Sequence, residues 1–261
     1  MDTSTHSATK VTILVSRSSD QAYTDAAEFI LRSAEQAIAN RGTFTIALSG
    51  GSTPKRLYEL LASPSWRDRI PWSKIDFFWG DERYVPPTDS SSNYRMTNEA
   101  MLGKVNVPAG RIHRVPTELE PPETAAESYE NEIKRVLPTS GSAVPEFDLV
   151  LLGLGTNGHV ASLFPFQPAL HEKSKLVISE YIEEVKMTRI SLTFPVINAA
   201  KDILFLSLGP DKASVIQEVL TGKSDPERLP AQYVQAEHGK ATWLLDPPAA
   251  VGLPEEMLTR K

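Results

Sequence analysis

The sequence predicts an α/β fold in which a mostly parallel sheet carries helices on both faces. Apolar runs of strand length recur along the chain, and helical apolar patterns lie between most of them. One run, Leu149–Leu152, is apolar at every position, as a strand covered on both faces must be. The 261 residues are enough to bury a substantial core, and no repeat, low-complexity tract or linker divides them. One domain over residues 1–261 is expected, with residues 1–10 as a flexible tail.

The first strand is expected at Val11–Val15. After Asp20 the residues Ala26, Phe29, Ile30, Ala34, Ala37 and Ile38 recur at three- and four-residue steps, which is the period of a helix face, and Gly42 supplies the stop. A strand at Phe44–Leu48 runs into the turn SGGSTP (49–54) and a helix over about 53–61. Ile75–Trp79 is the next strand, followed by GDER (80–83). Ser90, Ser91 and Ser92 read as turn and capping residues ahead of a helix over 93–102. Residues 123–136 form a helical pattern after Pro121 and Pro122. Strands are then expected at Leu149–Leu152, 190–193, 203–208 and 241–245, with a helix over 211–220.

The net charge of −6 argues against nucleic acid or a membrane surface as partner, since both select positive charge. The absence of cysteine excludes disulfides, cysteine nucleophiles and thiolate metal sites. The opening MDTSTHSATK has no apolar core and no arginine, and no run approaches the roughly 18 apolar residues of a membrane span. A soluble, cytoplasmic protein is the expectation.

Four unusual turns each follow a strand, at the sheet edge where open α/β proteins bind ligands. The most informative is DLVLLGLGTNGHVASLFP (148–165), in which Gly153, Gly155 and Gly158 permit tight turns and His159 stands where the turn opens. A histidine titrating at roughly 6.5 is the natural proton carrier near neutral pH. In SGGSTP, Gly50 and Gly51 let backbone amides face an anion, Ser52 and Thr53 add hydroxyl donors, and Pro54 suits a first helical turn. The spacing is not that of a Walker loop. One such loop holds a phosphate poorly, because each charge-assisted hydrogen bond contributes only about 1.5–3 kcal/mol, and Arg189 and Lys212 are the candidate partners. Lys212, in the first turn after GPD (209–211), opposes the helix dipole unless an anion is near. In GDER, an extended backbone puts Asp81 and Arg83 on one side and Glu82 on the other, so that Arg83 can bind an oxyanion with Asp81 orienting it.

Other chemistries lack their residues. The chain has no G-x-S-x-G elbow, no H-E-x-x-H and no compact cluster with metal spacing. His6, His113, His171 and His238 have no partner motif and read as structural or solvated. GLGTNG (153–158) looks like a dinucleotide fingerprint but lacks the sequel into a helix.

Taken together, ALSGGSTP (47–54), FWGDERYVP (78–86), SNYRM (92–96), the glycine-rich turn, TRISLTFPVINAA (188–200), GPDKA (209–213), LPAQYVQ and WLLD are identifying. The chain resembles the 6-phosphogluconolactonases, within the superfamily that also holds glucosamine-6-phosphate isomerases, from about Asp20 to Asp246. The resemblance implies a three-layer α/β/α sandwich with a Rossmann-like sheet, and hydrolysis of 6-phosphogluconolactone in the pentose phosphate pathway. It implies a sugar-phosphate substrate held by Gly50, Gly51, Ser52, Thr53, Arg189 and Lys212. His159 would be the general base, and Arg83 or amides of the 153–158 turn the oxyanion donors. No metal and no cofactor is implied. The family commonly has an aspartate where this chain has Asn157, so His159 is expected to act without a supporting carboxylate. Two alternatives stand beside lactone hydrolysis: isomerisation and deamination of an aminosugar phosphate, and sugar-phosphate binding without catalysis. The segment 165–170 is the expected lid.

Overall fold

The computed structural model describes residues 11–139 and 144–261. The expected tail, residues 1–10, lies outside them. In chain order the elements are β1 (Val11–Val15), α1 (Ser19–Arg41), β2 (Phe44–Leu48), α2 (Ser52–Leu61), β3 (Ile75–Trp79), β4 (Asp81–Arg83), α3 (Asn93–Ala100) and α4 (Pro122–Val136). They continue with β5 (Leu149–Leu152), β6 (Val177–Ile182), β7 (Met187–Leu192), α5 (Phe194–Asn198), β8 (Asp202–Ser207), α6 (Ala213–Thr221), β9 (Lys240–Leu245) and β10 (Leu258–Arg260).

Seven strands pair in the order β10-β1-β9-β8-β5-β2-β3, every pairing parallel. Side chains alternate across a strand, and the core divides accordingly. Val150, Leu152, Ile203 and Phe205 face one cluster, with Tyr129 and Ile133 of α4 and Val215 and Ile216 of α6. Leu149, Leu151, Leu204 and Leu206 face the other, with Ala26 and Ile30 of α1 and Leu57 and Leu61 of α2. Each such buried aliphatic side chain contributes about 1.5–3 kcal/mol relative to exposure, so both helical layers are held by the same strands. The α/β fold with helices on both faces is therefore the one expected.

Local chemistry sets the boundaries. Ser18 caps α1 by accepting the Gln21 N–H at 3.1 Å, and Gly42 ends it with a left-handed φ of 83°, donating to Ile38 O at 2.8 Å. At the amino end of β5, the buried Asp148 accepts from the Thr45 N–H at 2.9 Å and the Thr45 hydroxyl at 3.1 Å. Arg41 pairs with it, and Lys201 lies at 3.2 Å. These contacts pin β2 to β5 at the end of the sheet opposite the turns.

One expected strand belongs elsewhere. Residues 190–192 of the expected 190–193 strand lie in β7, which pairs antiparallel with β4 and β6 in a separate three-stranded sheet, and Thr193 is the N-cap of α5. The alternation of β7 explains this, since Ile190 and Leu192 face a core cluster while Arg189 and Ser191 lie on the opposite side, Arg189 lining a cavity and the Ser191 hydroxyl accepting from the Ser162 N–H at 3.1 Å. Gly80 joins the two sheets: its N–H donates to Leu48 O and its carbonyl accepts from the Leu192 N–H, both at 2.8 Å. Neither β6, with its polar Ser179 and Glu180, nor the exposed edge strand β10 carries a clear apolar signal.

Candidate active site

The strand-end turns converge on a cavity of about 560 Å³ beyond the carboxyl ends of β2, β5 and β8. The chain runs outward from β2 to β3, then returns to place β5 on the other side of β2, so the cavity sits where strand order reverses. Gly50, Gly51, Ser52, Thr53, Asp81, Arg83, Asn157, His159, Arg189 and Lys212 all line it.

Part of the cavity wall suits an anion. Gly51, at φ 104°, precedes α2, and no side chain caps that helix, so its first N–H groups have no side-chain partner. Gly50 is required by close approach: a Cβ there would lie 2.0 Å from Asn93 Oδ1. Arg83 and Arg189 stand opposite each other in the β4–β7 pairing, and the Nε of each is buried without a hydrogen-bond partner among the described residues. Burial pulls the Arg189 pKa down; Asp81 opposes this and Arg83 adds to it. Lys212, half-buried ahead of α6, lies 3.5 Å from the exposed Asp211 carboxylate, which partly offsets its conflict with the dipole.

The strand β4 distributes its side chains as an extended backbone requires. Glu82 points away from the cavity and accepts from the N–H groups of Arg83, Asn93 and Tyr94 and from the Ser92 hydroxyl, at 2.7–3.1 Å, anchoring the start of α3. Burial raises its pKa, and the backbone donors pull it back. Asp81 does not orient Arg83. Its carboxylate accepts from the Ser162 hydroxyl at 2.6 Å and from Asn93 Nδ2 at 3.4 Å, while Arg83 Nη1 donates to Ser91 O.

His159 lines the same cavity. Gly158, at φ 84°, donates to Gly155 O, and the Gly155 N–H donates to His159 O, each at 2.9 Å. The segment then passes through a bridge between Val160 and Leu163 rather than into a helix, so the dinucleotide resemblance ends there. The imidazole stacks on Phe164 at 4.1 Å between centroids and an angle of 12°. Its Nδ1 lies 2.7 Å from Asn157 Oδ1. An amide oxygen only accepts, so Nδ1 carries the proton and Nε2 is the basic atom. Burial is the main reason that the His159 pKa falls to about 4; Arg189 and Lys212 push it further down and Asp81 opposes them. The ring is neutral at pH 7.

A family model described as glucosamine-6-phosphate isomerases/6-phosphogluconolactonase matches residues 17–243. The chain belongs to this family. It is 44% identical to a 6-phosphogluconolactonase of Synechocystis sp. over 218 residues, 84% of this chain and 88% of that one. It is 39% identical to a 6-phosphogluconolactonase of Nostoc sp. over 242 residues, 93% and 95% of the two chains. Among solved structures, the 6-phosphogluconolactonase of Trypanosoma brucei superposes with a TM-score of 0.83 at 29% identity, covering 95% of this chain and all (100%) of that one.

The surroundings of His159 also depart from expectation. His159 does have a carboxylate behind it: Asn157 Nδ2 donates to Glu184 Oε1 and Oε2 at 3.2 and 3.1 Å. Glu184 carried no signal, because a glutamate 27 positions away in sequence reads as surface charge until the chain folds. Asn93 and Ser162, which hold Asp81, were likewise visible only as members of longer motifs. The 165–170 segment does not line the cavity; the Phe166 N–H donates to Glu227 O at 3.0 Å and the Ala169 N–H to Glu180 at 3.2 Å. Glu184 and Val185, between β6 and β7, border the cavity instead. His171 and His238 lie outside it, His6 lies outside the described residues, and His113 is a buried structural group bonded to Glu132 at 2.7 Å and Asp76 at 3.1 Å.

Proposed function

We propose that the chain hydrolyses 6-phosphogluconolactone to 6-phosphogluconate, with His159 as general base. The observation that carries this reading is one cavity whose wall holds both cationic, amide-rich residues and a neutral, oriented imidazole. The identity to the 6-phosphogluconolactonases of Synechocystis sp. and Nostoc sp. supports the same substrate.

The substrate phosphate sits against the first amides of α2, the Ser52 and Thr53 hydroxyls, Arg189 and Lys212. Fixing the phosphate fixes the lactone ring against His159 and removes part of the entropic barrier. Nε2 takes a proton from a water as its oxygen adds to the lactone carbonyl. Charge on the carbonyl oxygen is met by Arg83 or by amides of the 153–158 turn. Collapse of the tetrahedral species breaks the bond to the ring oxygen, and the imidazolium returns its proton to that oxygen. The carboxylic acid so formed ionises in solution.

The experiment is the rate of lactone opening above spontaneous hydrolysis, for the parent and for His159→Ala. Acceleration by the parent and its loss in the variant are expected. A parent no faster than buffer overturns the lactonase reading, and ammonia release from glucosamine 6-phosphate would put an isomerase in its place.

A further inference from the structure

The Asn157 amide has a carboxylate partner in Glu184. Glu184 lies in the single turn Glu183–Val185 that joins β6 to β7, closed by the Lys186 N–H to Glu183 O at 3.2 Å with Lys186 at a left-handed φ of 47°. The flanking strands are paired up to Ile182 opposite Met187, so the turn is held on a rigid base. Of its two glutamates, Glu184 borders the cavity and directs its carboxylate to Asn157.

We infer that Glu184 is a positioning residue for His159, acting through the Asn157 amide to supply, one side chain removed, the carboxylate that this turn lacks. The inference rests on the reading of His159 as base. An amide between a carboxylate and an imidazole is asymmetric: Nδ2 faces Glu184, so Oδ1 faces the ring and accepts from Nδ1 and from the His159 N–H at 3.2 Å. Reversal of the amide would set its oxygen against the carboxylate and its N–H₂ against an N–H. The carboxylate also polarises the amide, which strengthens its oxygen as an acceptor when the ring becomes imidazolium. Three other charged groups act on the ring, Asp81 from β4, Arg189 from β7 and Lys212 from ahead of α6. Glu184 reaches it by a different route, from the Nδ1 side.

Glu184 is exposed, so the effect is modest, and Glu184→Gln removes its charge without shortening it. An exposed charge acting through one intervening side chain contributes no more than an exposed ion pair, about a two- to five-fold change. The expected result is a fall of that size in kcat with KM unchanged, and a His159 titration, followed by NMR of the imidazole, displaced downward by about 0.3–0.7 pH units, which is the same factor. In an Asn157→Asp background the bonded carboxylate is restored directly, and Glu184→Gln is expected to be neutral or favourable there. An equal loss in both backgrounds, a change confined to KM, or an unchanged kcat and titration in the parent background overturns the inference. If His159→Ala abolishes activity in that last case, the base assignment survives alone; if it retains parental kcat, both readings fail.

Discussion

Arg83 and Arg189 occupy directly opposed positions in the antiparallel pairing of β4 with β7, each with a buried Nε that no described residue accepts from. Like charges opposed across strands destabilise a sheet. The arrangement makes sense when an anion sits between or beyond them. Loss of one charge-assisted contact of about 1.5–3 kcal/mol predicts that Arg189→Ala raises KM by about ten- to one-hundred-fold, with kcat little changed. Inorganic phosphate should raise the Tm of the parent, by linkage, and raise that of the variant much less. Steady-state kinetics and thermal scans check the two halves, and a pure kcat loss contradicts a phosphate role.

The His159 pKa gives a second prediction. Burial holds it at about 4, and Arg189 and Lys212 press in the same direction. A bound phosphate dianion neutralises those cations, so protonation becomes easier and the pKa rises. NMR titration of the imidazole should find it near 4 in the free protein and higher with saturating 6-phosphogluconate. A downward shift on binding would place the anion elsewhere. Neutral imidazole is the working base, so kcat falls as pH drops through the bound-state value, above the free one. The same depression acts on stability. Because the unfolded chain takes up this proton at roughly 6.5, the contribution of His159 is complete above that pH and is lost as pH falls towards 4.

Much of this site is legible in the sequence because glycine-rich strand ends are local signals. Gly50, Gly51, Gly155 and Gly158 mark turns within a few residues of the strands that aim them, and the residues expected from those turns all line one cavity. Pairwise chemistry is less legible. Asp81 and Arg83 are neighbours on one side of β4, yet Asp81 bonds to Ser162, 81 positions on, and Arg83 to Ser91 O. The strand β6 was missed for a related reason: only Val177 and Ile182 of VISEYI are buried, so its burial lacks the strict alternation that a propensity argument needs.

A third prediction concerns the fold alone. Asp148 is buried at the amino end of β5 and gathers Thr45, Arg41 and Lys201. Asp148→Ala leaves the Thr45 N–H without its charged acceptor and should lower unfolding free energy by about 3 kcal/mol in urea titrations. Because Asp148 lies at the opposite end of the sheet from the cavity, kcat per folded molecule should be unchanged. A loss of kcat in fully folded protein would show that the two ends are coupled.

Gly155 offers the sharpest separation of site from scaffold. A Cβ there would lie 2.1 Å from His159 Nδ1 and 2.2 Å from Cε1, and the ring it meets is already packed against Phe164 at 4.1 Å between centroids. The imidazole must therefore rotate away from Asn157, losing the hydrogen bond that leaves Nε2 as base. Gly155 has no left-handed φ, so alanine is compatible with the backbone itself; at Gly158, by contrast, a φ of 84° and a Cβ contact 2.8 Å from Leu229 strain the fold. Gly155→Ala is expected to lower kcat by about one-hundred-fold or more, the usual worth of a general base, with the Kd for 6-phosphogluconate and the Tm close to parental values. Gly158→Ala should instead lower Tm. Parental kcat in Gly155→Ala would mean that the imidazole's placement against Asn157 is not what catalysis depends on.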